Sequence, residues 1–240
     1  MTATVSRRRF LASVGIATAG VALASGPAAA APPKETGLSS EGLLVGRPGF
    51  QPRTTMPLPH EELPGFLSRE QLALHHAEYV RLVERLHATE EALRHEPSSA
   101  NAHADLRRTQ AEAANGVLLH ELYFRGLSAT KTEVPRHIQS NMSEHMGPWE
   151  SWLEDFHRCA LAAKAWAVLV YDPYDDRWHD AVMNSDDDGV WIGGNLLVVC
   201  DVADHAFSRD YGRREDYVAK FLDHIDWDEV SRRYRAVDRM

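Results

Sequence analysis

An α+β fold is predicted, with a long N-terminal helical hairpin packed on a C-terminal domain that carries a small three-stranded antiparallel sheet and flanking helices. Two observations predict it. Apolar residues recur at three- and four-residue steps from Ser68 to about Leu127, broken only around Glu96, Pro97 and Ser98. Three short runs of alternating or continuous apolar character then follow, divided by turns rich in Asp, Gly and Asn.

Residues 31 to 62, rich in Pro, Gly and Thr, read as an extended leader. Leu72, His75, Tyr79, Leu82, Val83 and Leu86 place an amphipathic helix after Ser68, and Ser68 with Gln71 has the spacing of a capping box. A second helix runs from about Ala102 to Leu127 with His120 on its inner face, so the hairpin domain, residues 63 to 130, supplies one histidine per arm. Residues 128 to 148 are polar and punctuated by proline, and Trp149 to Ala163 reads as another helix. The runs AWAVLVY, WHDAVMN and LLVVC, separated by DPYDD and NSDDDGVWIGGN, form the predicted sheet. A helix from Asp216 to Leu222 and a turn from Trp227 to Tyr234 close the second domain, residues 131 to 240, and no internal repeat is evident.

Four residues carry candidate chemistry: His75, His120, Asp201 and His205. Three imidazoles and one carboxylate suit a first-row metal ion, and the single carboxylate leans toward the harder, redox-capable iron and manganese. Asp201 ends an apolar strand-like run, and the spacing of four returns His205 to the same side, so one short segment can supply two ligands. His76 points about 100° away from His75 on a helix and is expected to pack or support rather than ligate. HELYF is not a zinc-protease helix, because Phe124 stands where the second histidine would be. The run Asp186 to Asp188 lacks the oxygen spacing and closing Glu of a calcium loop, and a solvated turn is expected there.

Three blocks in order, LPGFLSREQLALHHAEYV, NGVLLHELYFRGL and DVADHAFSRDYGRREDYVAKFLDHIDWDEV, resemble the iron/manganese superoxide dismutase family over about Leu63 to Tyr234. The resemblance implies that His75, His120, Asp201 and His205 are both the metal ligands and the catalytic set. It implies one Fe or Mn ion per chain, superoxide as substrate, dioxygen and hydrogen peroxide as products, and a homodimer through the region of Asp204, His205 and Arg213. Several positions depart from the family pattern. Gly116 and, by approximate alignment, Asn184 or Ser185 stand where the family carries a solvent-holding glutamine. Val83 replaces a gateway aromatic, Tyr79 a supporting histidine, Phe207 the tyrosine that would bond it, Ala203 a tryptophan beside the metal, and Asp204 a glutamate that reaches the partner subunit. The lost indole at Ala203 leaves more room near the site unless another aromatic, such as Phe124 or Trp166, fills it. These departures set two alternatives beside dismutation: a divergent redox metalloenzyme that admits a larger organic substrate on the same scaffold, and a non-catalytic metal-binding relative.

The N-terminus, SRRRFLASVGIATAGVALASGPAAAAPPK, joins a basic start to a moderate apolar run and an A-x-A site. It reads as a signal peptide of the twin-arginine type, residues 1 to 30, with Arg7 and Arg8 as its arginine pair and cleavage after Ala30. The expected destination is outside the cytoplasm, in the cell envelope or medium, through the twin-arginine export machinery and with no stable membrane anchor. Processing leaves 23 basic against 35 acidic residues, a formal charge of −12. That balance argues against nucleic acid or anionic membrane as a partner and leaves anion attraction to local charge, for which Arg213, Arg214 and the metal itself are candidates. Cys159 and Cys200 are too few for a disulfide framework; Cys200 reads as a core thiol, and a single bridge between the two is left open.

Overall fold

In a computed structural model the residues described are 54–95 and 99–237, so the signal peptide and most of the leader lie outside them. Two 26-residue helices, α1 (Arg69–Arg94) and α2 (Ala100–Arg125), form the hairpin. They run antiparallel, with Arg85 on Glu112 at 2.8 Å marking the register on the outer side. The inner side of α1 is the stripe Leu72, His75, Tyr79, Val83 and Leu86, all buried. The last turns of α2 are buried on nearly every side, from Gly116 to Phe124, which carries His120 into the core.

Only half of the expected capping box forms. Ser68 Oγ accepts from Gln71 N at 3.1 Å, but Ser68 N donates to Asp210 instead of to the Gln71 side chain. Gln71 is thereby freed for another task, described below.

Helix α3 (Arg136–His145) sits inside the polar, proline-punctuated stretch, buried only through Ile138 and Met142 one turn apart. Helix α4 (Trp149–Ala162) follows and leads into the sheet β1 (Trp166–Asp172), β2 (Arg177–Met183) and β3 (Asn195–Asp201). All three strands are antiparallel in the order β2-β1-β3. Every residue of the central β1 is buried, which explains its unbroken apolar character, whereas β2 is buried only at Trp178, Ala181 and Met183. The β1–β2 turn is set by Asp172, whose carboxylate accepts from Tyr174 N at 2.8 Å, and by Asp176 at φ 55°.

After β3 come a short α5 (Asp204–Phe207), then α6 (Arg214–Asp223) and α7 (Trp227–Val237). The terminal segment is a helix rather than the expected turn, because Trp227, Val230 and Tyr234 recur at helical spacing and bury one face. No helix among the described residues is long and apolar enough to cross a membrane. Cys159 is half-buried, Cys200 is buried, and both are free thiols.

Candidate metal centre

The hairpin and the end of β3 bring His75, His120, Asp201 and His205 together, with one potential donor atom from each lying within 4.8 Å of the others. Asp201 organises the group. Its Oδ1 accepts from Ala203 N at 2.9 Å, which turns Oδ2 toward the three imidazoles. Nε2 of His75, His205 and His120 lie 2.9, 3.0 and 3.8 Å from that one oxygen. His75 and Asp201 are fully buried and His120 nearly so, while the His205 side chain keeps 31 % of its surface exposed and forms the open side.

The protonation states suit ligands. Burial lowers the His75 pKa from its ordinary value, against the opposing pull of Asp201. Burial, aided by the neighbouring His75, lowers that of His120 to about 3. Burial alone would push the Asp201 carboxyl up, but donation from His205 and His75 outweighs it and holds the group well below the usual carboxylate range. His205, drawn down by burial and up by Asp201, ends above its ordinary value.

A cation fits this donor set. Donors about 2.1 Å from a shared ion stand about 3 Å apart at right angles and about 3.6 Å apart at 120°, close to the spacings seen. His120 Nδ1 donates to Gly116 O at 2.7 Å, so its Nε2 holds a lone pair, and that buried atom has no hydrogen-bond partner among the described residues. Two imidazoles could be satisfied by the carboxylate alone; the third nitrogen is left with its lone pair free to meet an ion. These four residues could therefore hold one metal ion.

Aromatic rings close the inner walls. Tyr123 and Phe124 lie 4.8 and 4.9 Å from the His75 ring, and Trp166 stands edge-on to His120 at 5.0 Å. Phe124 and Trp166 thus pack on the ligand rings themselves. Tyr79 donates to Glu121 and accepts from Met56 N, both at 2.8 Å, while His76 Nε2 lies 2.7 Å from Met56 O, outside the donor group. Phe207 stacks on Tyr217. Of the two arginines considered for anion attraction, Arg214 donates to Ala163 O at 2.7 Å and Arg213 faces Glu215 at 3.6 Å.

Three residues near the site were not identified from the sequence in the roles they take. Gln71 Nε2 donates to His205 O at 2.6 Å and its Oε1 accepts from Arg209 N at 2.9 Å, fastening α1 to the segment that carries the fourth donor. Trp166, foreseen only as filler, also donates through Nε1 to Asp186 at 2.8 Å. Asp186 is half-buried, whereas Asn184 is exposed, and Asn184 and Ser185 are tied through their backbone N–H groups to Asp188. The expected solvated turn therefore holds for Asp187 and Asp188 but not for Asp186. No local pattern in a run of three aspartates distinguishes the one that turns inward.

A helical hairpin packed with a three-stranded sheet, with three imidazoles and a carboxylate converging in the core, is the scaffold of a candidate metalloprotein. The family description "Iron/manganese superoxide dismutases, C-terminal domain" matches residues 134–233. Superoxide dismutase 2 (Mn) of Haloferax volcanii is 31% identical over 185 residues, 74% of this chain and 93% of that protein. Superoxide dismutase 1 (Mn) of Halobacterium salinarum is 27% identical over 77% of this chain and 95% of its own length. Superoxide dismutase (Fe) of Methanothermobacter thermautotrophicus is 28% identical over 76% and 93%. The chain belongs to the iron/manganese superoxide dismutase family.

Proposed function

We propose that the protein is a superoxide dismutase that holds one iron or manganese ion among His75, His120, Asp201 and His205. The observation that carries the reading is the convergence of three Nε2 atoms on Asp201 Oδ2, with the His120 nitrogen otherwise unpartnered. Held by these four residues, an iron or manganese ion would supply the one-electron redox chemistry by which two superoxide anions and two protons become dioxygen and hydrogen peroxide. The chain's own residues set the conditions. Asp201 contributes the single negative charge among the donors, and the bond from His120 to Gly116 O fixes the tautomer that presents Nε2. The rings of Tyr123, Phe124 and Trp166 keep bulk water from the inner side, leaving the half-exposed His205 edge for a small anion.

The enclosing rings disfavour a larger organic substrate, which would need room beside Ala203 and Val83; Val83 is 2 % exposed and packs in the core. The test is metal content with superoxide decay by pulse radiolysis, comparing wild type with His120→Ala. One Fe or Mn per chain with rapid decay, both lost in the variant, supports dismutation. Full metal occupancy with decay no faster than for the free ion overturns it and leaves a binding role.

Export belongs to the same reading and rests on the arginine pair, the apolar run and the A-x-A site. Export of a folded chain would let the ion be acquired in the cytoplasm. Arg7→Lys with Arg8→Lys is expected to leave the precursor inside the cell, and undiminished secretion of that variant would refute the route. A homodimer through the region of Asp204, His205 and Arg213 is expected by sedimentation; a monomer at working concentration would remove it.

A further inference from the structure

Glycine in a helix interior is unfavourable, yet Gly116 lies deep inside α2, one turn before His120 and on the same face. Its neighbour across the core explains it. A Cβ built at Gly116 would meet Asp186 Oδ2 at 2.4 Å, so the Asp186 carboxylate occupies the space into which a side chain from position 116 would project. The carboxylate is held there from the sheet. Trp166 opens β1, pairing with Met183 on one side and with Asp201 on the other. The turn bearing Asp186 follows Met183, and Trp166 Nε1 donates back to Asp186 Oδ1. Asp186 is therefore joined to the donor group twice: through the Trp166 indole, whose edge meets His120, and across Gly116, whose carbonyl orients His120.

We propose that Asp186 is a positioning residue that sets the redox balance of the metal centre, placing a second carboxylate beside the Asp201 cluster and fixing the Trp166 indole against His120. The inference rests on the metal reading above. Electrostatic influence follows from that geometry: burial raises the Asp186 pKa, Trp166 opposes the shift, and the Asp201 charge adds to it, while Asp186 in turn raises that of His205. A negative charge near an ion favours its higher oxidation state. The pairing also explains why position 116 carries no side chain: the loop has taken over the space.

The test is the midpoint potential of the metal-loaded full-length protein and its Asp186→Asn variant in mildly alkaline solution, with metal content measured alongside. Asparagine keeps an acceptor for Trp166 and removes the charge. The reduced-to-oxidised ratio at a fixed potential is expected to rise by roughly tenfold, about 59 mV for a one-electron couple. An unchanged potential in a fully loaded variant overturns the inference and leaves the metal reading intact; a wild-type protein that takes up neither iron nor manganese overturns both. The geometry has its own check in Gly116→Ala, made alone and with Asp186→Ala. The alanine is expected to destabilise the protein only while Asp186 is present, and additive effects of the two substitutions would overturn the proposed contact.

Discussion

Gln71 on the first helix and His205 at the far end of the site, 134 residues apart, are joined by a 2.6 Å hydrogen bond from the Gln71 amide to the His205 carbonyl. The other end of the same amide accepts from Arg209 N, so one fully buried side chain closes α1 onto the turn that carries the fourth donor.

Gln71→Ala leaves both backbone groups without their partner. It is expected to cost about 1–3 kcal/mol of stability in urea unfolding of the metal-free protein. Because it loosens a donor-bearing segment without removing a donor, metal affinity is expected to fall by roughly 10- to 100-fold. A competition assay that finds unchanged affinity would show that the segment holds its place unaided.

A second anchor lies outside the site. Arg233 on α7 donates to Leu197 O of β3 at 3.0 Å and to Leu122 O of α2 at 2.7 Å, while Glu229 neutralises it at 3.0 Å. Arg233→Met leaves the Leu197 and Leu122 carbonyls without their donor and Glu229 with Arg232 alone, at 2.6 Å, and is expected to cost about 1–3 kcal/mol. Since Arg233 touches no donor, superoxide decay per bound metal ion in the folded fraction should match wild type.

Asp180 provides a pH signature. Burial pushes its carboxyl up to about 8, against donation from Trp152 and reinforced by Asp155. An unfolded aspartate titrates near about 3.9, so between about 4 and 8 the unfolded chain releases a proton that the native state retains. The stability this group provides is whole at the acid end and is lost as pH rises through about 8. Asp180→Asn keeps the Trp152 acceptor and removes the slope; its advantage over wild type is expected to grow with pH, reaching a few kcal/mol, in denaturation series across that range.

Removing the ion should be visible as a stability change as well as a loss of activity. Binding to the folded state alone adds RT ln(1 + [L]/Kd), about 4.1 kcal/mol at a thousandfold excess over Kd. Chelation is therefore expected to lower Tm, re-addition of Fe or Mn to restore it, and His120→Ala to abolish the difference.

Most of the fold is legible because its signals are local. The stripe from Leu72 to Leu86 and the unbroken run of β1 state their own periods, and the order of blocks places the four donors. Helix α3 is hard to see because only Ile138 and Met142 reach the core, which leaves no stripe to count. The roles of Gln71 and Asp186 are not legible at all, because each depends on a partner brought near by the fold: His205 O for one, Trp166 and Gly116 for the other. The terminal helix carries its own signal in Trp227, Val230 and Tyr234, where the expectation is only a turn.

The donors divide evenly, two on the helical hairpin and two at or just past the end of the last strand, with His75 and Asp201 separated by 126 residues. During synthesis the first pair emerges long before the second, and a chain truncated before β3 ends holds only two imidazoles. A pair of ligands competes poorly for an ion that four can enclose. On the metal reading proposed above, such a centre would be a check on completeness: until both halves have docked, the chain would stay redox-silent and make no peroxide.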